Sequence, residues 1–193
     1  LLSGASAVLV DEAHLLSQEK LEYLLRYCGN RPVIFSSDYE NMLSPEELDR
    51  AAVHALEQIS GIQSFRLTNR IRTNAEISSF IQNMMCLPER KKGRHFPHVT
   101  VMYANDDREA DVLLSDAQHQ GYQVILNEAE PAICADRLAM VLDQRYFYDR
   151  QNYLRSDDRS VRRLFHQLNG AKEELLLVVK QNEPLYAVLL DLL

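Results

Sequence analysis

Cysteine is scarce in this chain and never placed for chemistry. Its three cysteines, Cys28, Cys86 and Cys134, are far apart, with no C-x-x-C and no metal-ligand spacing, which excludes a disulfide framework and a zinc-ribbon site. They read as buried or incidental thiols of a reducing, cytoplasmic compartment. Long apolar runs are missing as well. Nothing approaches the length of a membrane span, and no signal-peptide pattern is present, so no membrane partner is expected. Nor is there a basic excess. Lys and Arg number 21 against 28 Asp and Glu, a net charge of −7. That balance argues against a surface coating nucleic acid uniformly and leaves room for a local basic groove. No internal repeat or low-complexity segment is apparent. With 46% hydrophobic and 25% charged residues over 193 positions, the chain can bury a core and form one large domain or two small ones.

What is there begins at residues 7–14, A-V-L-V-D-E-A-H. Val8, Leu9 and Val10 run straight into Asp11 and Glu12. A short continuous apolar run suits a strand buried on both faces of a parallel sheet. Carboxylates at the carboxyl end of such a strand lie where open α/β sheets bind ligands. Two adjacent acids there suit magnesium and an attacking water: Asp11 would hold the ion, directly or through water, and Glu12 would polarise the water beside a terminal phosphate. An acid-solvated strand end leading into a helix cap is the plainer alternative.

Strands and helices alternate through the rest. Residues 17–27 carry Leu21, Leu24 and Leu25 at helical spacing behind a Ser17 cap, and Gly29 ends the helix. Residues 33–35 form a second short strand. Ser44-Pro45-Glu46-Glu47 starts a helix running to about Ile59. Residues 62–67 are a strand candidate and 74–85 a helix. The basic, proline-bracketed 88–97, P-E-R-K-K-G-R-H-F-P, reads as a linker or surface insertion. Beyond it come strands at 99–103, 122–126, 138–142 and 175–179, and helices at 108–120, 161–170 and 184–193. Such alternation implies parallel sheets covered on both faces.

The D-E-A-H after an apolar strand resembles the Walker B strand, motif II, of helicases, and later stretches resemble further motifs of superfamily 1 helicases of the UvrD/Rep-like group. Residues 33–45, V-I-F-S-S-D-Y-E-N-M-L-S-P, resemble motif III, G-D-x-x-Q, with Ser37 at the Gly, Asp38 at the acid and Asn41, one methylene shorter, at the Gln. An Asx-type turn capping the next helix is an equal reading of Asp38. Residues 67–77, L-T-N-R-I-R-T-N-A-E-I, resemble motif IV with Arg72 at its arginine, which in the family reaches the γ-phosphate across the cleft between lobes. A guanidinium suits that role through permanent charge and its two-pronged geometry. Arg66 and Arg70 read as surface cations.

Residues 161–179 resemble motif VI, with Phe165, Leu168, Ala171 and Lys172 in register. Asn169 and Gly170, however, stand where the family has Thr and its second arginine finger. Losing such a finger costs about 10³–10⁵ in rate where an NTPase relies on one. Lys172, two positions along a helix, would point elsewhere. Motif V, between Asn127 and Asp143, keeps Asp136 and the strand 138–142 but not the family's Gly-x-Glu.

The resemblance implies an α/β fold of the RecA-like, P-loop NTPase class, its parallel sheets carrying helices on both faces. The first lobe would be incomplete at 1–87, the basic linker would span 88–98, and the second lobe 99–193. Glu12 and Arg72 would be catalytic. Asp11, Asp38, Asn41 and His14 would bind or couple to the nucleotide, with magnesium on Asp11. ATP and magnesium would serve the intact protein. No G-x-x-x-x-G-K-[ST] loop occurs in the chain, and its abrupt opening suggests a piece of a longer protein. This chain alone is therefore expected to carry no bound nucleotide and to be inactive, and the intact protein to be a weak or inactive helicase-like ATPase acting on nucleic acid. The alternative is a non-catalytic scaffold binding nucleotide, nucleic acid or a protein partner. Single-stranded nucleic acid and protein stay open as partners. His95 and His98 lack an evident third metal ligand, while Lys91, Lys92 and Arg94 beside them could touch phosphate. Tyr146, Phe147, Tyr148 and Tyr153 could stack bases but more often such aromatics rim a core.

Overall fold

The computed structural model describes residues 5–37, 65, 74–89, 95–126, 132–157 and 161–193. Two compact units divide the chain at Leu67/Thr68.

In the first unit, β1 (Val8–Val10) and β2 (Val33–Phe35) pair in parallel, Val8 against Val33 and Val10 against Phe35, joined through α1 (Gln18–Cys28). Ser17 starts α1 as expected, its hydroxyl accepting the Lys20 N–H at 3.4 Å. Gly29, at φ 59°, ends it with its N–H on the Leu25 carbonyl (3.2 Å), a backbone conformation glycine adopts without steric cost. Leu21 and Leu25 pack with Val10, Leu16 and Phe35 around Ala13. The opposite sheet face differs from expectation: the paired Leu9 and Ile34 are 72% and 61% exposed, so among the described residues only the face toward α1 is covered. The predicted helix from Ser44 and all but Phe65 of the strand candidate at 62–67 lie outside the described residues.

The second unit runs α2 (Ala75–Met85), β3 (Val99–Ala104), α3 (Asp107–His119), β4 (Gln123–Ile125), β5 (Ala135–Leu142), the hairpin β6 (Tyr146–Tyr148) and β7 (Leu154–Ser156), α4 (Val161–Leu168), β8 (Ala171–Lys180) and α5 (Glu183–Leu192). Strands β3, β8, β5 and β4 lie side by side in that order, every pair parallel. Alternate residues of a strand face opposite sides. On one side Ala104, Ala139, Leu176 and Val178 meet Ala110, Leu114 and Ala117 of α3. On the other, Leu175, Leu177 and Val179 are buried in register with Leu138, Met140 and Leu142, where α2, α4 and α5 pack. Central β8 thus reads as a continuous apolar run, L-L-L-V-V, because both of its faces are covered.

The stretch expected to link two lobes falls inside this second unit. Phe96 packs edge-on against Phe80 of α2, ring centroids 5.5 Å apart. The Tyr148 hydroxyl donates to the Met84 carbonyl at 2.8 Å, and Cys86 bridges to Tyr153. These contacts join α2 to the elements that follow it. Among the described residues no helix is long and apolar enough to cross a membrane.

Candidate functional site

The chain turns sharply at the tip of β1. Glu12 sits in the left-handed region at φ 51°, ψ 43°, a conformation costing a non-glycine residue on the order of 1–2 kcal/mol. Hydrogen bonds to the neighbouring strand hold it there: the Ser36 N–H donates to Val10 O (2.9 Å) and the Ala13 N–H to Ser36 O (2.8 Å). A short 3-10 turn, Ala13–Leu15, follows. Asp11 Oδ1 accepts the Glu12 N–H at 3.0 Å and the Ser36 hydroxyl. The tip of β2 therefore fixes the orientation of a carboxylate at the tip of β1. Asp11 is exposed, Glu12 partly so, and His14 only 2% exposed. Asp38 and Asn41, and Arg72 in the second unit, lie outside the described residues.

Among the described residues no group of three His, Cys, Asp or Glu side chains could cage a metal. Magnesium does not require a cage, since one or two carboxylates with phosphate and water oxygens suffice. An exposed, oriented Asp11 fits that role, with Glu12 beside it.

In the second unit, Asn74, Ala135 and the residues around Gly170 meet at one edge of the sheet, where the four parallel strands begin. The Asn74 N–H, two residues past Arg72, donates to the Lys172 carbonyl (3.1 Å), and the Ala135 N–H donates to the Gly170 carbonyl (3.0 Å). Ala135 pairs with Ala171 and Arg137 with Glu174, so two residues of β8, Lys172 and Glu173, stand opposite Asp136 and the bulge lies on β8. Gly170 is closely enclosed. A Cβ there would lie 2.0 Å from the Ile133 carbonyl oxygen and 2.9 Å from that of Gln167. Lys172 lies in β8 rather than in the helix the sequence suggested, and its ammonium is 3.5 Å from Asp136 Oδ1.

Further along the same edge, Arg137 Nη2 meets Glu174 Oε1 at 3.1 Å, and the Tyr122 hydroxyl donates to Glu174 Oε2 at 2.6 Å. Burial first, then this bond and the charge of Glu174, push the Tyr122 phenol up to about 12 against the opposing pull of Arg137.

The opposite edge, where the strands end, is the usual ligand edge of an open sheet, yet its groups serve the fold. Asp106 Oδ1 accepts the Glu109 N–H (2.8 Å) at the start of α3. Asn182 caps α5 through Leu185 N–H (3.2 Å), and its amide donates to the carbonyls of Asp143 (2.9 Å) and Tyr146 (2.7 Å). Lys180 pairs with Asp107, and Asp143 with Arg145. Burial would raise the Asp143 carboxyl, but the guanidinium and N–H of Arg145, with Lys180 nearby, outweigh it and hold the group below the ordinary carboxylate value.

Of the weaker candidates, Lys91, Lys92 and Arg94 lie outside the described residues and Phe147 is 42% exposed. His98 Nε2 is 3.7 Å from Glu76 Oε2, with no third ligand among the described residues. Tyr146 and Tyr153 are 1% and 9% exposed and belong to the hairpin. Sequence reasoning did not single out Ser36. Its signal was its place immediately after the strand paired with β1. Comparison with protein-family models and with characterised proteins finds no match.

Proposed function

We propose that the chain belongs to a helicase-like, RecA-type protein that binds ATP with magnesium and acts on nucleic acid, with weak or no turnover. The observation that carries this reading is the tip of β1. Asp11, held by Ser36 and the Glu12 N–H, and Glu12, bent into a left-handed turn, stand at the carboxyl end of a parallel strand. That is a place where an acid can hold a magnesium–phosphate unit and its neighbour a water. The parallel sheet of the second unit, with helices on both faces, agrees with the RecA-type class. The enclosure of Gly170 favours weak or absent turnover, because no arginine finger fits at that position, and it equally favours the alternative of a non-catalytic scaffold.

The test is calorimetric titration of the intact, full-length protein with Mg-ATP, with and without single-stranded DNA. Saturable binding that needs magnesium and weakens in Glu12→Gln or Asp11→Asn supports the reading. Absence of nucleotide binding with nucleic-acid binding intact moves the protein to the scaffold class. Absence of both rejects the reading.

A further inference from the structure

We propose that the outer edge of β3 is the surface through which two copies of this protein pair, strand against strand, about a two-fold axis. The inference concerns the second unit alone and does not rest on the nucleotide-binding reading. Strand β3 lies at one end of the sheet and pairs with β8 in unbroken register, from Val99 against Leu175 to Ala104 against Lys180. Two hydrogen bonds fix which backbone groups face β8. The Leu175 N–H donates to the His98 carbonyl (2.9 Å) and the Gln181 N–H to the Ala104 carbonyl (3.0 Å). Backbone groups of successive strand residues turn to alternate sides. Those of Thr100 and Met102 therefore face β8, and the N–H and C=O of Val101 and Tyr103 face outward. Among the described residues nothing bonds them there.

Sheet edges are ordinarily blunted by charge, proline, a bulge or brevity. The far edge strand, β4, has only three residues. β3 has six, V-T-V-M-Y-A, with no charge, proline or bulge. Its flanks are apolar too. Met102, on the α3 side with Ala104, is 39% exposed. On the other side Tyr103 meets Tyr186 of α5, ring centroids 5.2 Å apart, and Leu190, one helical turn on, is 46% exposed.

A second copy fits this edge because the edge is complementary to itself. In an antiparallel pair centred on Met102, Val101 meets Tyr103 of the second copy and Tyr103 meets its Val101. All four outward N–H groups then find carbonyls. The two Met102 residues oppose each other at the close position, about 4.5 Å between Cα atoms, where an unbranched, adaptable side chain packs readily on its own copy. The same register sets the exposed His98 across from the exposed Asp106 of the second copy, an imidazole facing a carboxylate at both ends. The contact is closed and isologous, and it joins two four-stranded sheets into one.

The experiment is sedimentation equilibrium of the intact, full-length protein, as wild type, Met102→Lys and Met102→Glu, with thermal unfolding of each followed alongside. The wild type should dimerise. Each variant sets like charges face to face on the axis and should weaken dimerisation at least about tenfold. An equimolar mixture of the two should recover a heterodimer, lysine against glutamate. Hydrogen exchange needs no variant: the Val101 and Tyr103 amides should exchange more slowly as wild-type concentration rises. A wild type still monomeric at roughly 100 μM, a dimer that neither substitution weakens, folded variants that fail to recover on mixing, or exchange at Val101 and Tyr103 independent of concentration would each overturn the proposal.

Discussion

Replacing Gly170 by alanine adds one methyl group, and the structure leaves no room for it. The new Cβ would stand 2.0 Å from Ile133 O and 2.9 Å from Gln167 O. Both are backbone atoms, so neither can swing aside as a side-chain end would. Relief requires moving the turn between α4 and β8 or the chain entering β5. Either shift strains two hydrogen bonds, Ala135 N–H to Gly170 O (3.0 Å) and Gly170 N–H to Gln167 O (2.9 Å). Overpacking alone costs typically about 1–3 kcal/mol, and backbone rearrangement puts this site at the upper end, about 3 kcal/mol. For a chain of 193 residues that corresponds to a melting temperature lower by roughly 6–12 °C. Urea unfolding followed by circular dichroism measures the loss directly. A Gly170→Ala chain within about 0.5 kcal/mol of wild type, on the scale of an ordinary surface substitution, would refute the steric argument. Gly170→Arg meets the same carbonyl, so an arginine here should cost the fold at least as much.

Three other perturbations have definite expectations. Tyr148→Phe removes the hydroxyl that donates to Met84 O at 2.8 Å and should cost about 1–2 kcal/mol in urea unfolding; an unchanged midpoint would show that the tie between the hairpin and α2 is idle. Tyr122 keeps its proton in the fold up to about 12, whereas the unfolded phenol releases it near 10.0, so its contribution is present below pH 10 and fades between about pH 10 and 12. Tyr122→Phe should therefore lose less stability than wild type across that window, and parallel stability curves would contradict the assignment. Burial would raise the Asp149 carboxyl, but the Tyr153 N–H, the Arg155 guanidinium and the Gln151 N–H together hold it below the ordinary carboxylate value. Its contribution is present at neutral pH and lost as the pH falls through the lowered value. Asp149→Asn, which keeps the turn's acceptor oxygen but not the charge facing Arg155 (2.7 Å), should cost about 1 kcal/mol at pH 7 and flatten the acid limb of the stability profile; an acid limb as steep as wild type would rule this out.

Legibility of the sequence tracked the range of the force concerned. Ser17 and Gly29 announced helix ends because caps and positive-φ turns are decided within four or five residues. The apolar runs 8–10, 33–35 and 175–179 announced strands for the same local reason. The hairpin 146–156 was not announced. Its aromatic residues do not alternate cleanly, and its turn is built by Asp149 accepting the N–H groups of Gln151 (2.9 Å) and Tyr153 (3.0 Å), with Asn152 at φ 62°. The membership of α2 in the second unit was equally silent, since it depends on Phe80 meeting Phe96 and Tyr148 meeting Met84. At the candidate site, Asp11 and Glu12 could be read from one strand, but Ser36 becomes meaningful only once β1 and β2 are known to be neighbours in register.

The stretch 169–174 shows a chain changing its period where no apolar side chain marks the change. N-G-A-K-E-E has no apolar residue beyond Ala171 to reveal its periodicity, and it follows a helix, so a continued 3.6-residue period sends Lys172 away from position 170. The structure begins the strand at Ala171, immediately after the enclosed glycine, and the two-residue period sets in at Glu174, past the extra residue that β8 carries opposite Asp136. What decides between the two is not propensity, since Lys and Glu favour helix. It is the pairing of Ala171 with Ala135 and the carbonyl of Gly170 accepting the Ala135 N–H, contacts made with a strand some 35 residues upstream. Gly170 is thus the residue whose lack of a side chain lets β5 and β8 close together. That close approach turns Lys172 toward Asp136 and into solvent.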